Sequence, residues 1–315
     1  MTTTSVKPIA PSARPGDTAE RHDRYPTRTG DRPEVLERTD PVVVGCPDDG
    51  PFDGRELDHI ETAGYAQVPE LFSPVEINRM REELDVLSRD EHVLADERTI
   101  TEAGSGQLRT VFEVHRSNEL FRSVAHDPRL VARAEQVLGG PVTIHQSRVN
   151  FKPGFAGKEF SWHSDFETWH AEDGMPTPRA ISVSIALTDN HTYNGPLMIM
   201  PGSHRHYVSC VGETPEDNYK SSLVMQGAGT PDQDVLTRMY ERHGIDVLTG
   251  AAGGATWFDS NCMHASNGNV TPAPRSNVFI VFTAADNQCG EPFAAPAPRP
   301  EFLGARRERE ILTTR

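Results

Sequence analysis

The chain has 315 residues, enough for one large buried core, and β-barrels of about 200 to 250 residues commonly form a single domain. Its 31 Lys and Arg against 46 Asp and Glu give a formal charge of −15, which argues against nucleic acid or an anionic membrane surface as a partner. Four widely spaced cysteines without a C-x-x-C pair favour a reducing cytoplasm. The sequence also lacks an apolar leader and the run of about eighteen apolar residues that a membrane helix needs.

The N-terminal residues differ in composition from the remainder of the chain. Residues 1–22 are rich in Pro, Thr and charged side chains and contain few large apolar ones. Such a segment buries too little apolar surface to offset the entropy lost on ordering, so we expect a disordered tail. Residues 23–315 are expected to form one domain.

Two helices are predicted in the first half of this domain. Ser73 and Glu76 form a capping-box pattern around a proline at the first helical position, and apolar residues follow at helical spacing to Leu87. A second helix is predicted from the cap Asp127 to Gly139, where glycine favours a helix end.

Strand patterns dominate from residue 141 to about residue 285. Apolar and polar residues alternate over 142–146 and 181–188, and residues 196–200 form a short apolar run that ends in a Pro-Gly turn. Residues 212–244 are polar with some helical character and are expected to form an insertion between strands. The strand spacing predicts a barrel or sandwich with helices packed outside it.

A metal site is predicted from His163, Asp165 and His264. In an extended strand, residues two apart point to the same face, so His163 and Asp165 would converge on one point. His264 is the best candidate for a third ligand, and two His with one carboxylate form the facial triad of non-haem Fe(II) oxygenases. Arg275 opens the next apolar run and can bind a carboxylate with two parallel hydrogen bonds. A His-x-Asp pair can also be an ordinary hydrogen-bonded turn.

A longer match supports the metal interpretation. Residues 160–190, FSWHSDFETWHAEDGMPTPRAISVSIALTDN, closely resemble the signature block of ectoine hydroxylases, in the phytanoyl-CoA-hydroxylase-like branch of the Fe(II)/2-oxoglutarate-dependent dioxygenases. Residues 23–45 are similar to the N-terminal region of that family. Thr177-Pro178 departs from the signature, outside the metal and substrate positions.

The resemblance implies a fold and a reaction. The expected fold is a mainly β, double-stranded β-helix (jelly-roll, cupin-like) core with flanking helices, covering residues 23–315 as one dioxygenase domain. The expected reaction is hydroxylation of ectoine to 5-hydroxyectoine with O2 and 2-oxoglutarate, which releases succinate and CO2. The family precedent also suggests a homodimer.

The resemblance further assigns roles to individual residues. The Fe(II) ligands would be His163, Asp165 and His264. Lys152 matches the position that the family uses for 2-oxoglutarate, and the period-2 rule places Asn150 on the same strand face as Lys152. Arg275, as the cation for the distal carboxylate, and Ser266, as a hydroxyl donor close to His264, are expected to bind 2-oxoglutarate because of their positions in the sequence. The resemblance marks Gln146 and Trp169 as ectoine contacts, Phe258 and Phe279 as apolar walls of the substrate site, and Arg299 as a partner for the substrate carboxylate. An aromatic face such as that of Trp169 suits the substrate's amidinium-like cation.

Two other functions are compatible with these residues. The chain can be an Fe(II)/2-oxoglutarate hydroxylase of another small polar or amino-acid-like substrate, or a non-catalytic iron-binding sensor. Asp165 weighs against the sensor, because the carboxylate completes the metal set that supports O2 activation. It weighs equally against a halogenase, in which the carboxylate position is vacated for halide.

Overall fold

The computed structural model describes residues 23–28, 30, 32–102, 105–222 and 228–314. The tail predicted at residues 1–22 lies outside the described residues. None of the helices within these ranges has the length and apolar character needed to cross a membrane.

The structure contains thirteen β-strands and nine α-helices within the described residues. The strands are β1 (Val35–Glu37), β2 (Tyr65–Val68), β3 (Thr99–Thr101), β4 (Leu108–Phe112), β5 (Val142–Lys152), β6 (Phe160–His163), β7 (Ala180–Ala186), β8 (Leu197–Ile199), β9 (His206–Val208), β10 (Asp246–Leu248), β11 (Ala255–Asp259), β12 (His264–Ser266) and β13 (Arg275–Ala284). The helices are α1 (Gly54–Ala63), α2 (Pro74–Leu87), α3 (Glu91–Leu94), α4 (Val114–Ser117), α5 (Glu119–Ala125), α6 (Pro128–Leu138), α7 (Asp165–Thr168), α8 (Asn218–Ser222) and α9 (Gln233–His243).

Two antiparallel sheets form the core. The larger has the strand order β2-β11-β7-β13-β5-β4-β3, and the smaller has the order β10-β8-β12-β6. Strands distant in sequence are neighbours in both sheets, as in a jelly-roll. The predicted mainly β, double-stranded β-helix core with flanking helices is confirmed. A separate two-stranded sheet pairs β1 with β9 and so attaches the N-terminal segment to residues 206–208.

The two predicted helices are confirmed. Ser73 caps α2 and forms the capping box with Glu76, which satisfies backbone N–H groups of the first turn. Helix α6 ends at Gly139, whose φ of 81° lies in the left-handed region that glycine adopts without a Cβ clash. Apolar residues of both helices join the main core cluster, together with the outward face of the larger sheet.

The polar positions of β7 face the inside of the barrel. Ser182 and Ser184 are buried, and Ser184 accepts a hydrogen bond from Asn277 on β13 at 2.9 Å. Ser184 also lies directly opposite Phe279 in the sheet, so the two side chains share a face. The interior between the sheets is therefore partly polar, and this is where the candidate site lies.

The insertion at 212–244 contains α8 and α9, with residues 223–227 between them outside the described ranges. Val235 and Met239 form the buried face of α9 and pack on Met200, Val208 and Met263. The expected helical insertion between strands is confirmed.

Candidate active site

His163 and His264 lie opposite each other at one end of the smaller sheet. His163 is the last residue of β6, His264 is the first residue of β12, and the two are direct antiparallel partners. Their ring centroids are 4.2 Å apart. Backbone pairing therefore brings together two imidazoles that are a hundred residues apart in sequence.

Asp165 completes the group from a short helix. The expectation that His163 and Asp165 share one strand is wrong, because β6 ends at His163 and Asp165 is the first residue of α7. Ser164 between them remains extended (φ −108°, ψ 128°), so the two side chains still point the same way. Asp165 Oδ1 lies 3.6 Å from His163 Nε2, and Asp165 Oδ2 lies 3.9 Å from His264 Nε2.

Hydrogen bonds fix the orientation of both imidazoles. His163 Nδ1 is 2.8 Å from the carbonyl oxygen of Ser161, and His264 Nδ1 is 3.0 Å from that of Cys262. A carbonyl oxygen can only accept, so each Nδ1 carries a proton, and Nε2, on the side of Asp165, is the nitrogen left to bind a metal. This is the tautomer that a metal ligand requires.

The three side chains fit a divalent metal ion. Their ligand atoms all lie within 4.8 Å of one another, and the buried Asp165 Oδ2 has no hydrogen-bond partner in the described part of the protein. Burial lowers the pKa of His264 to about 4, so this imidazole is neutral at physiological pH. Burial opposes ionisation of Asp165, but at the low pH where this carboxyl titrates His264 is protonated, and together with His163 and Arg148 it holds the pKa of the carboxyl well below its usual range. Two neutral imidazoles and a carboxylate are the donor set of a facial triad.

Two buried cations lie beside this group, on neighbouring strands. Lys152 ends β5, Arg275 begins β13, and the two are cross-strand partners. Lys152 Nζ donates to Ser266 Oγ at 2.9 Å and to the carbonyl oxygen of Asn267 at 2.6 Å, and Arg275 Nε donates to Asn277 Oδ1 at 2.8 Å. Both side chains are 6% exposed.

Neither cation is neutralised by the protein. Among the described residues, no carboxylate lies within ion-pair distance of Lys152 or Arg275. Burial, with the nearby charges of Arg275 and Arg109, lowers the pKa of Lys152 to about 6, and burial lowers the pKa of Arg275 to about 10. Arg275 therefore stays charged at physiological pH while the amine of Lys152 is mostly neutral, and an anionic ligand would balance the first charge and favour protonation of the second.

One cavity connects the metal group to most of the predicted site residues. It is lined by His163, Asp165, His264, Asn150, Ser266, Arg275, Gln146, Trp169, Phe279 and Arg299, all of them predicted. Lys152 instead lines a smaller adjoining cavity, which shares Asn150, Phe160 and Arg275 with the first.

The predicted substrate residues occupy different environments. Gln146 Nε2 donates to the carbonyl oxygen of Leu303 at 2.6 Å, which fixes its amide in the wall. Arg299 donates through Nε and Nη2 to both oxygens of Asp173, at 2.8 and 2.6 Å. Arg299, predicted as a partner for the substrate carboxylate, is thus already paired on one edge of its guanidinium.

Phe258 is not among the residues that line the cavity. Its ring centroid lies 5.1 Å from that of His264, and the side chain packs in a buried cluster that includes Phe279 and Cys262. The expected apolar wall is therefore formed by Phe279, while Phe258 supports the imidazole of His264 from behind.

The cavity wall contains charged residues that the sequence analysis did not single out. Arg148 contacts Gln146 Oε1 and lies over the ring of Phe279, with its guanidinium carbon 4.8 Å from the ring centroid. Glu172 also lines the cavity. The alternation of β5 places Arg148 on the same face as Gln146 and Asn150, so the period-2 rule that found Asn150 could have found it.

Comparison with protein families and solved structures gives consistent matches. Residues 60–277 match the model of the phytanoyl-CoA dioxygenase (PhyH) family. An ectoine dioxygenase of Streptomyces coelicolor is 54% identical over 285 residues, which cover 90% of this chain and 95% of that protein. One of Stutzerimonas stutzeri is 50% identical over 294 residues, covering 93% of this chain and 97% of that protein.

Solved structures match equally broadly. The crystal structure of EctD from S. alaskensis with 2-oxoglutarate and 5-hydroxyectoine has a TM-score of 0.83 and 41% identity, over 90% of this chain and 95% of that chain. EctD from the same organism with bound Fe has a TM-score of 0.84 and 40% identity, over 93% and 98% of the two chains.

Proposed function

Because this chain belongs to the phytanoyl-CoA dioxygenase family and, within it, to the ectoine dioxygenases, we propose that it hydroxylates ectoine to 5-hydroxyectoine. The cosubstrates are O2 and 2-oxoglutarate, and the co-products are succinate and CO2. The observation that carries the proposal is the buried group of His163, Asp165 and His264, which opens into the same cavity as the unneutralised Arg275.

His163, Asp165 and His264 would hold Fe(II). Bound iron supplies the activation of O2 that is coupled to oxidative decarboxylation of 2-oxoglutarate. The protein contributes ligands of fixed orientation: both imidazoles are oriented by backbone carbonyls, and the low pKa of Asp165 keeps its carboxyl ionised. Three protein ligands would leave a bound metal ion room for exchangeable ligands.

Lys152 and Arg275 would bind the distal carboxylate of 2-oxoglutarate. Both are buried and lack a carboxylate partner in the described part of the chain, so a dicarboxylate would balance the charge of Arg275 and favour the protonated form of Lys152. Ser266, already bonded to Lys152 Nζ, and Asn150, on the same strand face as Lys152, supply neutral polar contacts. This orients the cosubstrate with its other end toward the metal.

Gln146, Trp169, Phe279 and Arg299 would bind ectoine, a small ring with an amidinium-like cation and a carboxylate. The faces of Trp169 and Phe279 suit the ring and its cation, and the edge of Arg299 that has no partner among the described residues suits the carboxylate. Phe258 is assigned to supporting His264 and not to substrate contact. Arg148 joins this group as a cation that holds Gln146 and Phe279 in position.

The experiment that tests this proposal analyses all products of one reaction mixture. Protein loaded anaerobically with Fe(II) and 2-oxoglutarate receives ectoine and air, and ectoine, hydroxyectoine and succinate are followed by mass spectrometry. One succinate per hydroxyectoine is the expected result. Succinate without hydroxyectoine would direct attention to another small polar substrate, and neither product from iron-loaded protein would favour an iron-binding sensor.

The assembly and location of the enzyme are part of the proposal. We infer a homodimer in the cytoplasm, with residues 23–315 acting as one dioxygenase domain. The absence of disulfides among the four cysteines supports a reducing compartment, and exposed apolar side chains on and after α9, including Tyr240 and Ile245, offer a surface for a second copy. Light scattering coupled to gel filtration measures the assembly, and a monomer mass at micromolar concentration would contradict it.

A further inference from the structure

A buried ion cluster lies beside the active site and is centred on Arg28. Its guanidinium donates through Nε and Nη2 to the two oxygens of Glu167, at 3.0 and 2.8 Å, and through Nη1 to Glu172 Oε1 at 2.7 Å. The side chains of the three residues are 1%, 1% and 3% exposed. We call Arg28, Glu167 and Glu172 the Arg28 cluster.

The cluster joins three separate parts of the chain. Thr27 Oγ1 donates to Glu167 Oε1 at 2.7 Å from the N-terminal segment. From the insertion, Thr214 Oγ1 accepts from Arg28 Nη1 at 2.8 Å and Asn218 Nδ2 donates to Glu172 Oε1 at 2.8 Å. Each carboxylate thus receives several hydrogen bonds, which is the condition for keeping charges buried.

The backbone around Arg28 is fitted closely to this arrangement. Its φ of 55° is in the left-handed region, which is uncommon for a residue other than glycine, and its N–H donates to the carbonyl oxygen of Cys210 at 2.8 Å. At Gly229, which has a φ of 79°, a Cβ would lie 2.7 Å from both Arg28 Nη2 and Glu167 Oε2. The strained backbone of Arg28 and the close approach of Gly229 to its guanidinium indicate that the fold fixes the position of Arg28 tightly.

The two glutamates bracket the substrate side of the cavity. Glu167 is in α7, and Glu172 is in the π-helical turn Trp169–Asp173 that follows it. Between them lie Thr168 and Trp169, which line the cavity, as does Glu172 itself. One buried cation therefore holds both ends of the turn that carries the proposed aromatic contact for ectoine.

We propose that Arg28 is a positioning residue for the substrate: through Glu167 and Glu172 it fixes the wall formed by Thr168 and Trp169. This proposal rests on the proposed function for the identity of the substrate. Removing the cation leaves the carboxylates of Glu167 and Glu172 buried together without a counter-ion. The two glutamates must then move apart, or water must enter between them. Arg28 touches neither the metal ligands nor the residues assigned to 2-oxoglutarate in any described contact.

The test compares Arg28→Gln with Arg24→Gln. Arg24 belongs to the same N-terminal segment and forms an ion pair with Asp40 at 2.8 Å, but it is exposed and does not line the cavity. Arg28→Gln is expected to raise the KM for ectoine by about tenfold or more, because small displacements of positioning groups cost up to about 100-fold in rate. The KM for 2-oxoglutarate is expected to stay within about twofold, and Arg24→Gln is expected to match the wild type. Arg28→Lys keeps the charge but not the forked geometry, so it should lie between the two.

Hydrogen exchange gives a second readout that does not depend on the substrate. Peptides covering residues 165–175 should exchange faster in Arg28→Gln, while peptides from β5 and β13 stay protected and Arg24→Gln stays unchanged. Unchanged exchange of 165–175, or equal losses for ectoine and 2-oxoglutarate, would overturn the proposal. Wild-type protein that fails to hydroxylate ectoine would refute the proposed function instead, and exchange would still decide the role of Arg28. Should Arg28→Gln not fold, Arg28→Lys is subject to the same two measurements.

Discussion

Arg299 and Asp173 form a buried bidentate ion pair at the cavity wall, with N–O distances of 2.8 and 2.6 Å. Asp173 is fully buried and also lies 3.2 Å from His145 Nε2, while the ring of His145 meets that of Trp169 edge-on at 5.0 Å. The pKa of Asp173 is about 2, because Arg299 and His145 outweigh the effect of burial. The carboxylate of Asp173 thus orients Arg299 directly, and through His145 it also orients the ring of Trp169.

Asp173→Asn is expected to destabilise the protein and weaken ectoine binding. Breaking a buried pair leaves the charge of Arg299 without compensation, which typically costs about 3–5 kcal/mol in the free energy of unfolding. The KM for ectoine should rise because Arg299 loses its fixed orientation. Denaturant unfolding and steady-state kinetics measure the two effects. Asp286→Asn is the control, because it removes an exposed partner of Arg179 and should cost about 0–1 kcal/mol.

Asp165→Ala is expected to abolish hydroxylation and iron binding while the fold is retained. The carboxylate is the single anionic member of the proposed ligand set, and its Oδ2 makes no described hydrogen bond that the fold would lose. Iron content, circular dichroism and product formation are the measurements. Asp58→Ala, on the exposed face of α1, should behave as the wild type. Turnover by Asp165→Ala would refute the triad assignment.

Much of the fold could be predicted because its signals are local. The capping box at Ser73, the terminal glycine at 139 and the alternation over 181–188 each depend on neighbouring residues, and each matches an observed helix or strand. The convergence of His163 and Asp165 was predicted for a related reason, since Ser164 stays extended and the two side chains still point the same way although the strand ends at His163.

The residues that the sequence analysis missed depend on contacts between distant segments. Arg28 meets Glu167 across 139 positions, and nothing in the composition of residues 23–45 distinguishes it from a solvated arginine. The contact of Phe258 with substrate could not be judged from sequence for a similar reason. Alternation places a side chain on one face of the sheet but does not show whether another residue lies between it and the cavity. His264 occupies that place.

The affinity for 2-oxoglutarate is expected to fall as pH rises from about 6. In the ligand-free protein the pKa of Lys152 is about 6, so above that pH the amine is mostly neutral. A bound carboxylate favours the charged amine and raises this pKa, so binding takes up a proton at any pH between the two values. The Kd should therefore increase by up to about tenfold per pH unit in that window and level off below pH 6. Arg275, with a pKa of about 10, stays charged throughout and provides the part of the affinity that does not depend on pH.

Calorimetry under anaerobic conditions, in two buffers of different ionisation enthalpy, measures both the Kd and the number of protons taken up. Lys152→Met should remove the proton uptake and flatten the dependence. Lys158→Met, at an exposed lysine beside the smaller cavity, should preserve both. A wild-type Kd that is constant from pH 6 to pH 8 would contradict the assignment of Lys152.

Phe258→Leu is expected to affect iron binding, and Phe279→Leu is expected to affect ectoine binding. Phe279 lines the cavity, so its substitution should raise the KM for ectoine with little change in iron affinity. Phe258 packs behind His264, so its substitution should weaken iron binding and lower stability by about 1 kcal/mol or more, while the KM for ectoine of the iron-saturated enzyme is unchanged. Iron titration, thermal unfolding and kinetics at saturating Fe(II) separate the two variants. An equal rise in the KM for ectoine in both would place Phe258 at the substrate, as the sequence resemblance implies.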